Sequence, residues 1–318
     1  MSRAAALRIG TRASALALWQ AREVASRIAA QADAPLVELV HVRTSGDLQS
    51  ERPLWQVRGQ AFFTREIDRA LLDREVDVAV HSLKDLPTQL DAGLELAALL
   101  PRADPRDALL SRDGAALAAL PAGARIGTSS LRRRAFLARL RPDAALLELR
   151  GNVPTRLERL QRGEYDAIVL AAAGLERLGL AQHITEYLPT ESFLPAVSQG
   201  VIGVCARSGD EATLRCLAAL DDRDARLAAS AERALLSRLE GGCQVPLGAL
   251  GTVQGDTLTL MACVCALDGT RHLSARAEAP AARAEAEALG VRLAEELLAR
   301  GAGELMASER EARAVEAP

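Results

Sequence analysis

The chain has 318 residues, 49% of them hydrophobic and 25% charged, enough for two or three domains with cores of their own and unlike a disordered tail or a small stapled peptide. A net charge of −3, with no block of like charge and no aromatic RNA-binding motif, argues against nucleic acid as a partner. No apolar stretch approaches the length of a membrane span, and Arg8 interrupts the N-terminal apolar run before a signal-peptide core forms; a cytoplasmic protein with no membrane partner is expected.

Elements read in chain order alternate strand-like and helical patterns over the first two thirds, the signature of an α/β sheet with crossover helices. Leu7 to Gly10 reads as a strand, Ser14 to Ala30 as a helix with Ser14 near its N-cap, and Leu36 to Val42 as a strand. Thr64 to Leu72 reads as a helix and Val76 to Val80 as a short buried strand. After the Pro/Asp punctuation of Pro101 to Pro105 the grammar restarts. Strands are expected at Arg125 to Gly127, Ala145 to Leu149 and Ala167 to Leu170, with helices at Leu131 to Leu140 and Val153 to Arg162. Beyond Asp222 the pattern changes: a helix from Arg223 to Leu239 stops at Gly241-Gly242, a C-cap signal. Strands of an antiparallel sheet follow at Ala249 to Val253, Thr257 to Ala266 and His272 to Ala277, then a helix from Pro280 to Arg300 with Pro280 suited to its first turn.

An internal echo accompanies the alternation. Arg8-Ile9-Gly10-Thr11 recurs as Arg125-Ile126-Gly127-Thr128, and Asp77-Val78-Ala79-Val80 is echoed by Asp166-Ala167-Ile168-Val169 in the same order. The expectation is an α/β protein of three domains: a first lobe from 1–100 with 201–218, a second from 105–195, and a smaller α/β domain with an antiparallel sheet from 222–318. Two similar lobes would face each other across a cleft, a usual place for a ligand.

Chemistry concentrates at strand-to-helix turns. Each Arg-Ile-Gly-Thr turn offers a glycine for close backbone approach, hydroxyls, and the free N–H groups of a helix start, the elements of an anion site. Arg12 follows the first turn; Arg132 and Arg133 follow the second. Arg150 and Arg156 flank Gly151-Asn152, and Arg177 follows the last strand of the second lobe. Arginines so placed suggest a ligand with several carboxylates or phosphates. Of 39 basic residues one is lysine, Lys84, and the rest are arginine. Most of those arginines fit a coding bias, but a single retained lysine suggests a task for a compact ammonium that a planar guanidinium cannot perform. It sits beside Asp85 in His81 to Pro87, after a strand, where a carboxylate can stabilise a developing cation or move protons. The five cysteines (Cys205, Cys216, Cys243, Cys263, Cys265) contain no C-x-x-C and no nearby histidine pair, so no metal site and no disulfide framework is expected. Cys243, between Gly241-Gly242 and Pro246, reads as a loop thiol open to nucleophilic chemistry.

These residues resemble the porphobilinogen deaminase family. The resemblance is carried by Thr11 to Ser14 with Leu16 to Gln20, His81 to Pro87, Gly127 to Arg133, Leu149 to Val153, Gly163 to Ala171, Leu194 to Gly200 and Leu239 to Gly248. It implies two lobes like those of periplasmic binding proteins plus a third domain. It also implies an activity, the head-to-tail joining of four porphobilinogen molecules with release of ammonia to give hydroxymethylbilane. The implied cofactor is a dipyrromethane, one per chain, attached through a thioether to Cys243. Asp85 matches the family's catalytic carboxylate. Lys84, Ser82, Thr128, Ser129, Arg132, Arg133 and Arg150 are the implied cofactor contacts; Arg12, Ser14, Arg156, Arg177, Gln199 and Phe63 are the implied substrate contacts. The chain is expected to act as a monomer. Three departures stand out: Gln56 and Gln60 replace loop lysines of the family, with Arg58 expected to supply part of the missing charge, and Ser198 stands where glycine is common. A non-catalytic anion-binding module would explain the turns and arginines but leaves Cys243, Lys84-Asp85 and the third domain without a role.

Overall fold

Strands of two to nine residues, separated by helices with one buried stripe, are long enough to pair into sheets and too short to stand alone. The computed structural model describes residues 6–44, 64–239 and 246–306. They form two compact units: 6–44, 64–103 and 200–226 in the first; 104–199, 227–239 and 246–306 in the second.

The first unit is built on strands β1 (Leu7–Thr11), β2 (Val37–His41), β3 (Val78–Ser82), β4 (Leu94–Leu99) and β10 (Ile202–Arg207). Their order is β2-β1-β3-β10-β4. β1 runs parallel to β2 and β3, and β10 antiparallel to β3 and β4. Val78, Val80, Ile202 and Val204 share a core with Val24 and Ile28 of the helix Ala15–Ala29 and Leu217 of Glu211–Ala218. Helix Arg65–Leu72 packs on the other face, where Ile67 and Val76 fill the space beside Gly10.

The second unit repeats that sheet with β5 (Asp107–Ser111), β6 (Arg125–Gly127), β7 (Ala145–Leu147), β8 (Ala167–Ala171) and β9 (Glu186–Tyr187), in the order β7-β6-β8-β5-β9. Again the first three are parallel and the fourth and fifth antiparallel to their neighbours. The sequence echo has a physical counterpart in both sheets. Arg8 donates from Nε and Nη2 to Asp77 (3.0 and 2.9 Å), and Arg125 does the same to Asp166 (3.2 and 2.9 Å). Each arginine's backbone N–H also donates to that carboxylate.

A three-stranded antiparallel sheet, β11 (Leu247–Gln254), β12 (Thr257–Cys265) and β13 (His272–Pro280), belongs to the second unit. One core joins Leu258, Leu260 and Ala262 to the helices Arg223–Arg238 and Arg283–Ala299. Gly290 lets those helices cross closely, since a Cβ there would strike the carbonyl oxygen of Ala231. Leu250, Cys263 and Cys265 join Phe136, Leu137 and Phe193 in a second core, so the β11–β13 sheet and the β7-β6-β8-β5-β9 sheet fold as one body.

Three expectations are corrected. Pro280 is not in the first turn of the last helix: it ends β13 opposite Thr257, and the helix begins at Arg283. β13 is an edge strand, where a missing N–H is tolerated. The strand before the Lys84 turn is Val78–Ser82 rather than Val76 to Val80, because Val76 turns away to pack beside Gly10. β4 and β5 were not anticipated; Leu- and Ala-rich stretches such as Leu94–Leu99 carry no strong period of two, and only their sheet partners select the extended form.

Candidate active site

In each unit the residues singled out above gather where parallel strands end. In the first unit, β1 runs into Arg12 and Ala13, and Ser14 caps the helix Ala15–Ala29 by accepting the Ala17 N–H at 3.4 Å. The Thr11 hydroxyl donates to the Ala17 carbonyl at 3.1 Å. On the neighbouring strand end, Ser82 Oγ accepts from Gln20 Nε2 at 2.9 Å. Leu83 to Asp85 form one 3₁₀ turn, closed by the Leu86 N–H on the Leu83 carbonyl. The fully buried Leu83 anchors the turn and donates its N–H to Val201 O at 3.0 Å. Lys84, Asp85 and Arg12 are half-buried around it.

In the second unit, β6 ends in Thr128-Ser129, both buried. Ser130 caps the helix Leu131–Leu140 by accepting the Arg133 N–H, and Thr128 Oγ1 accepts the Ser130 N–H. Ser129 Oγ donates to the Leu149 carbonyl and so ties this turn to the loop after β7. Asn152 caps the helix Val153–Gln161, and Arg156 on its first turns donates to the Gly151 carbonyl at 2.7 Å. Gly151 takes φ 110°, a conformation open to a residue without Cβ. Arg177 lies half-buried at the end of the short helix Ala172–Arg177 after β8.

The antiparallel return of β5 puts Asp107 opposite Ala171, at the same edge as these turns. Asp107 is 0% exposed, and three of the expected site residues converge on it. Arg132 Nη1 lies 2.7 Å from Oδ2. Arg133 donates to Oδ1 from Nε and Nη2 (3.0 and 2.7 Å), and Gln199 Nε2 donates to the same oxygen at 3.0 Å. Arg132 also donates to Leu194 O, and Arg133 to Val169 O. Burial alone would raise the Asp107 carboxyl; the two guanidinium charges with the Arg132 and Gln199 hydrogen bonds outweigh it and hold the group well below the usual carboxylate range. Two cations share one anion here, so the cluster keeps one positive charge in excess.

Arg150 is placed differently. It makes no hydrogen bond or ion pair among the described residues, and its Nε is buried without a partner. Burial pushes its guanidinium below the ordinary range, against the opposing field of Glu148. A partly desolvated guanidinium beside a helix N-terminus, with no bond to the described residues, can bind a carboxylate. Bidentate donors, capped helix starts and a positive excess fit the acetate and propionate groups of a dipyrromethane.

Asp107 was not singled out from the sequence; the available signal was a carboxylate opening an apolar strand directly after Pro105-Arg106. Ser198, by contrast, is where a side chain meets a left-handed backbone, at φ 63°. Its N–H donates to the fully buried Glu232 at 2.5 Å, and Glu232 also accepts from the Gly251 N–H at 2.7 Å, which offsets the strain. Cys243, Phe63, Gln56, Arg58 and Gln60 lie outside the described residues. No described helix is long and apolar enough to cross a membrane.

Paired strand-end turns on two like sheets, with guanidinium groups gathered at those of the second, mark an α/β protein with the chemistry of an anion site at its strand ends. Residues 7–215 match the family model described as porphobilinogen deaminase, dipyromethane cofactor binding domain, and residues 226–299 match porphobilinogen deaminase, C-terminal domain. The chain belongs to the porphobilinogen deaminase family. It is 50% identical over 303 residues to the porphobilinogen deaminase of Syntrophotalea carbinolica, covering 95% of this chain and 96% of that one. It is likewise 50% identical over 301 residues to that of Geobacter metallireducens (95% and 94% covered) and to that of Roseiflexus castenholzii (95% and 98%). Among solved structures, the chain aligns with the VFT2 domain of Bordetella pertussis BvgS at 14% identity and TM-score 0.38, over 67% of this chain and 85% of that one.

Proposed function

We propose that this chain is a deaminating transferase that joins four porphobilinogen molecules head to tail and releases the linear product, hydroxymethylbilane, by hydrolysis. The observation that carries this reading is the guanidinium excess at the strand ends of the second unit, above all Arg150, which has no partner among the described residues. Each substrate pyrrole brings an acetate and a propionate, so a growing chain needs more cations than the protein spends on itself. We assign Lys84, Ser82, Thr128, Ser129, Arg132, Arg133 and Arg150 to holding the dipyrromethane, with Cys243 as its thioether anchor. When bound, that group supplies the pyrrole α-carbon to which the first substrate is joined.

Each condensation breaks the C–N bond of the aminomethyl group, expels ammonia and leaves a cation on the incoming substrate. A C–C bond then forms and the attacked α-carbon loses a proton. Asp85, on a rigid turn beside Lys84, accepts a hydrogen bond from the substrate pyrrole N–H, stabilises the positive charge, and moves the proton at its carboxylate oxygen. Arg12, Ser14, Arg156, Arg177 and Phe63 take substrate carboxylates and pyrrole faces, while the buried Gln199, whose amide is given to Asp107, supports the site from behind. In this reading the chain works as a cytoplasmic monomer with three parts, 1–100 with 201–218, 105–195 and 222–318.

Intact-protein mass measurement tests the anchor: active protein should carry two pyrrole units, removed by Cys243→Ser. An unmodified mass in active protein overturns it. Asp85→Asn should keep the adduct and lose turnover by on the order of a hundredfold; wild-type turnover would end the assignment of Asp85.

A further inference from the structure

A second carboxylate stands near the Lys84–Asp85 turn without a role in that chemistry. Asp68 lies on the helix Arg65–Leu72 and His81 on β3, 4% and 5% exposed. His81 Nε2 is 3.4 Å from Asp68 Oδ1, an approach that falls short of a hydrogen bond, and among the described residues neither atom has a hydrogen-bond partner. Thr64 Oγ1, one helical turn before Asp68, is also buried without a partner among the described residues. Burying such atoms costs free energy, and an apolar side chain at either position would avoid the cost.

The strand geometry gives the pair a task. Side chains alternate along β3, so Val78, Val80 and Ser82 face the helix Ala15–Ala29, while Ala79 and His81 face Arg65–Leu72. Ser82 is held from the first side by Gln20, and Leu83 is held by the core and by Val201 O. His81 is the last residue gripped from the second side, and Lys84 and Asp85 follow within one turn.

We propose that Asp68 and His81 are a positioning pair for the Lys84–Asp85 turn. The Asp68 carboxylate takes the Nε2 hydrogen of His81, fixing the ring's tautomer and rotation, and together with Gln20 on the opposite face clamps the end of β3. Asp85 is thereby presented in one place rather than several. This rests on Asp85 being the catalytic carboxylate.

The test uses holoenzyme with porphobilinogen and three variants, Asp68→Asn, Asp68→Glu and Asp85→Asn. Asp68→Asn keeps the shape but removes the acceptor charge; kcat should fall on the order of tenfold, with KM and the two-pyrrole adduct unchanged. Asp68→Glu retains the carboxylate and should recover part of the loss. Nitrogen-15 spectra of the four histidines should show His81 as a single Nε2-protonated form in the parent protein, lost in Asp68→Asn. Wild-type kcat in Asp68→Asn, or parallel loss of kcat, KM and adduct, overturns the proposal. Should Asp68→Asn fail to fold, mixed tautomers at His81 in the parent protein overturn it equally. An inactive Asp85→Asn beside a fully active Asp68→Asn sinks the pair alone, whereas an active Asp85→Asn sinks the assignment of Asp85 and the pair with it.

Discussion

Arg150 and Arg132 show how the same residue type does different work according to its partners. Arg132 and Arg133 spend much of their charge on Asp107 and on backbone carbonyls, so they stabilise the turn while presenting a residual positive field. Arg150 has no such partner among the described residues. Arg150→Ala should therefore weaken ligand binding by roughly 1.5–3 kcal/mol, the value of a charge-assisted hydrogen bond, while leaving the melting temperature of ligand-free protein almost unchanged. KM for porphobilinogen and the fraction of chains carrying the pyrrole adduct measure the first, calorimetry the second; a large drop in melting temperature would mean that Arg150 is structural. That arginines crowd these turns was legible in the sequence. Which of them are spoken for was not, because Asp107 lies 26 residues from Arg133 and meets it only when β5 returns antiparallel to β8.

At the scale of elements, the Arg-Ile-Gly-Thr echo proves to be a repeated clamp. In each sheet an arginine on one parallel strand (β1 or β6) grips an aspartate just before the neighbouring parallel strand (β3 or β8), and a second arginine reaches the same carboxylate: Arg207 to Asp77 at 3.1 Å, Arg112 to Asp166 at 3.9 Å. The hydrogen bonds from Arg125 hold the Asp166 carboxyl down to about 2. An unfolded aspartate titrates near ~3.9, so the folded state gains from this group above that pH and loses the gain as pH falls through about 2. Asp166→Asn should thus lower the unfolding free energy, read from urea titration at neutral pH, by less than about 1 kcal/mol, because the pair is partly exposed. The difference from the parent protein should shrink between about pH 4 and 2. A gap that stays constant over that range would show that the clamp does not act through charge. Helix starts at Ser14, Ser130 and Asn152 were readable because a cap and its recipient N–H lie within three residues. β4 and β5 were not, because their Leu/Ala sequence has no preference strong enough to decide without a sheet.

The whole molecule interleaves its two units along the chain. β10 enters the first sheet between β3 and β4, although it follows the whole second sheet in sequence. A chain ending at Gln199 would leave β4 without its partner strand and the Ala98–Ile202 core open. Such a fragment should show no protected amides in β3 and β4 by hydrogen exchange, whereas protection equal to that of the full chain would show that the first unit folds without its return strand. The sequence by itself determined what short-range chemistry carries: the helix caps, the glycine turns, the Lys84–Asp85 motif and the likeness that places the chain in its family. Only the tertiary structure decided how charge is distributed among those motifs. It set Arg132, Arg133 and Gln199 on Asp107, left Arg150 without a partner among the described residues, and put Asp68 behind His81. The reason is physical: caps and turns are completed by residues a few positions apart, but a carboxylate and its guanidinium are joined by sheet register, which no local pattern contains.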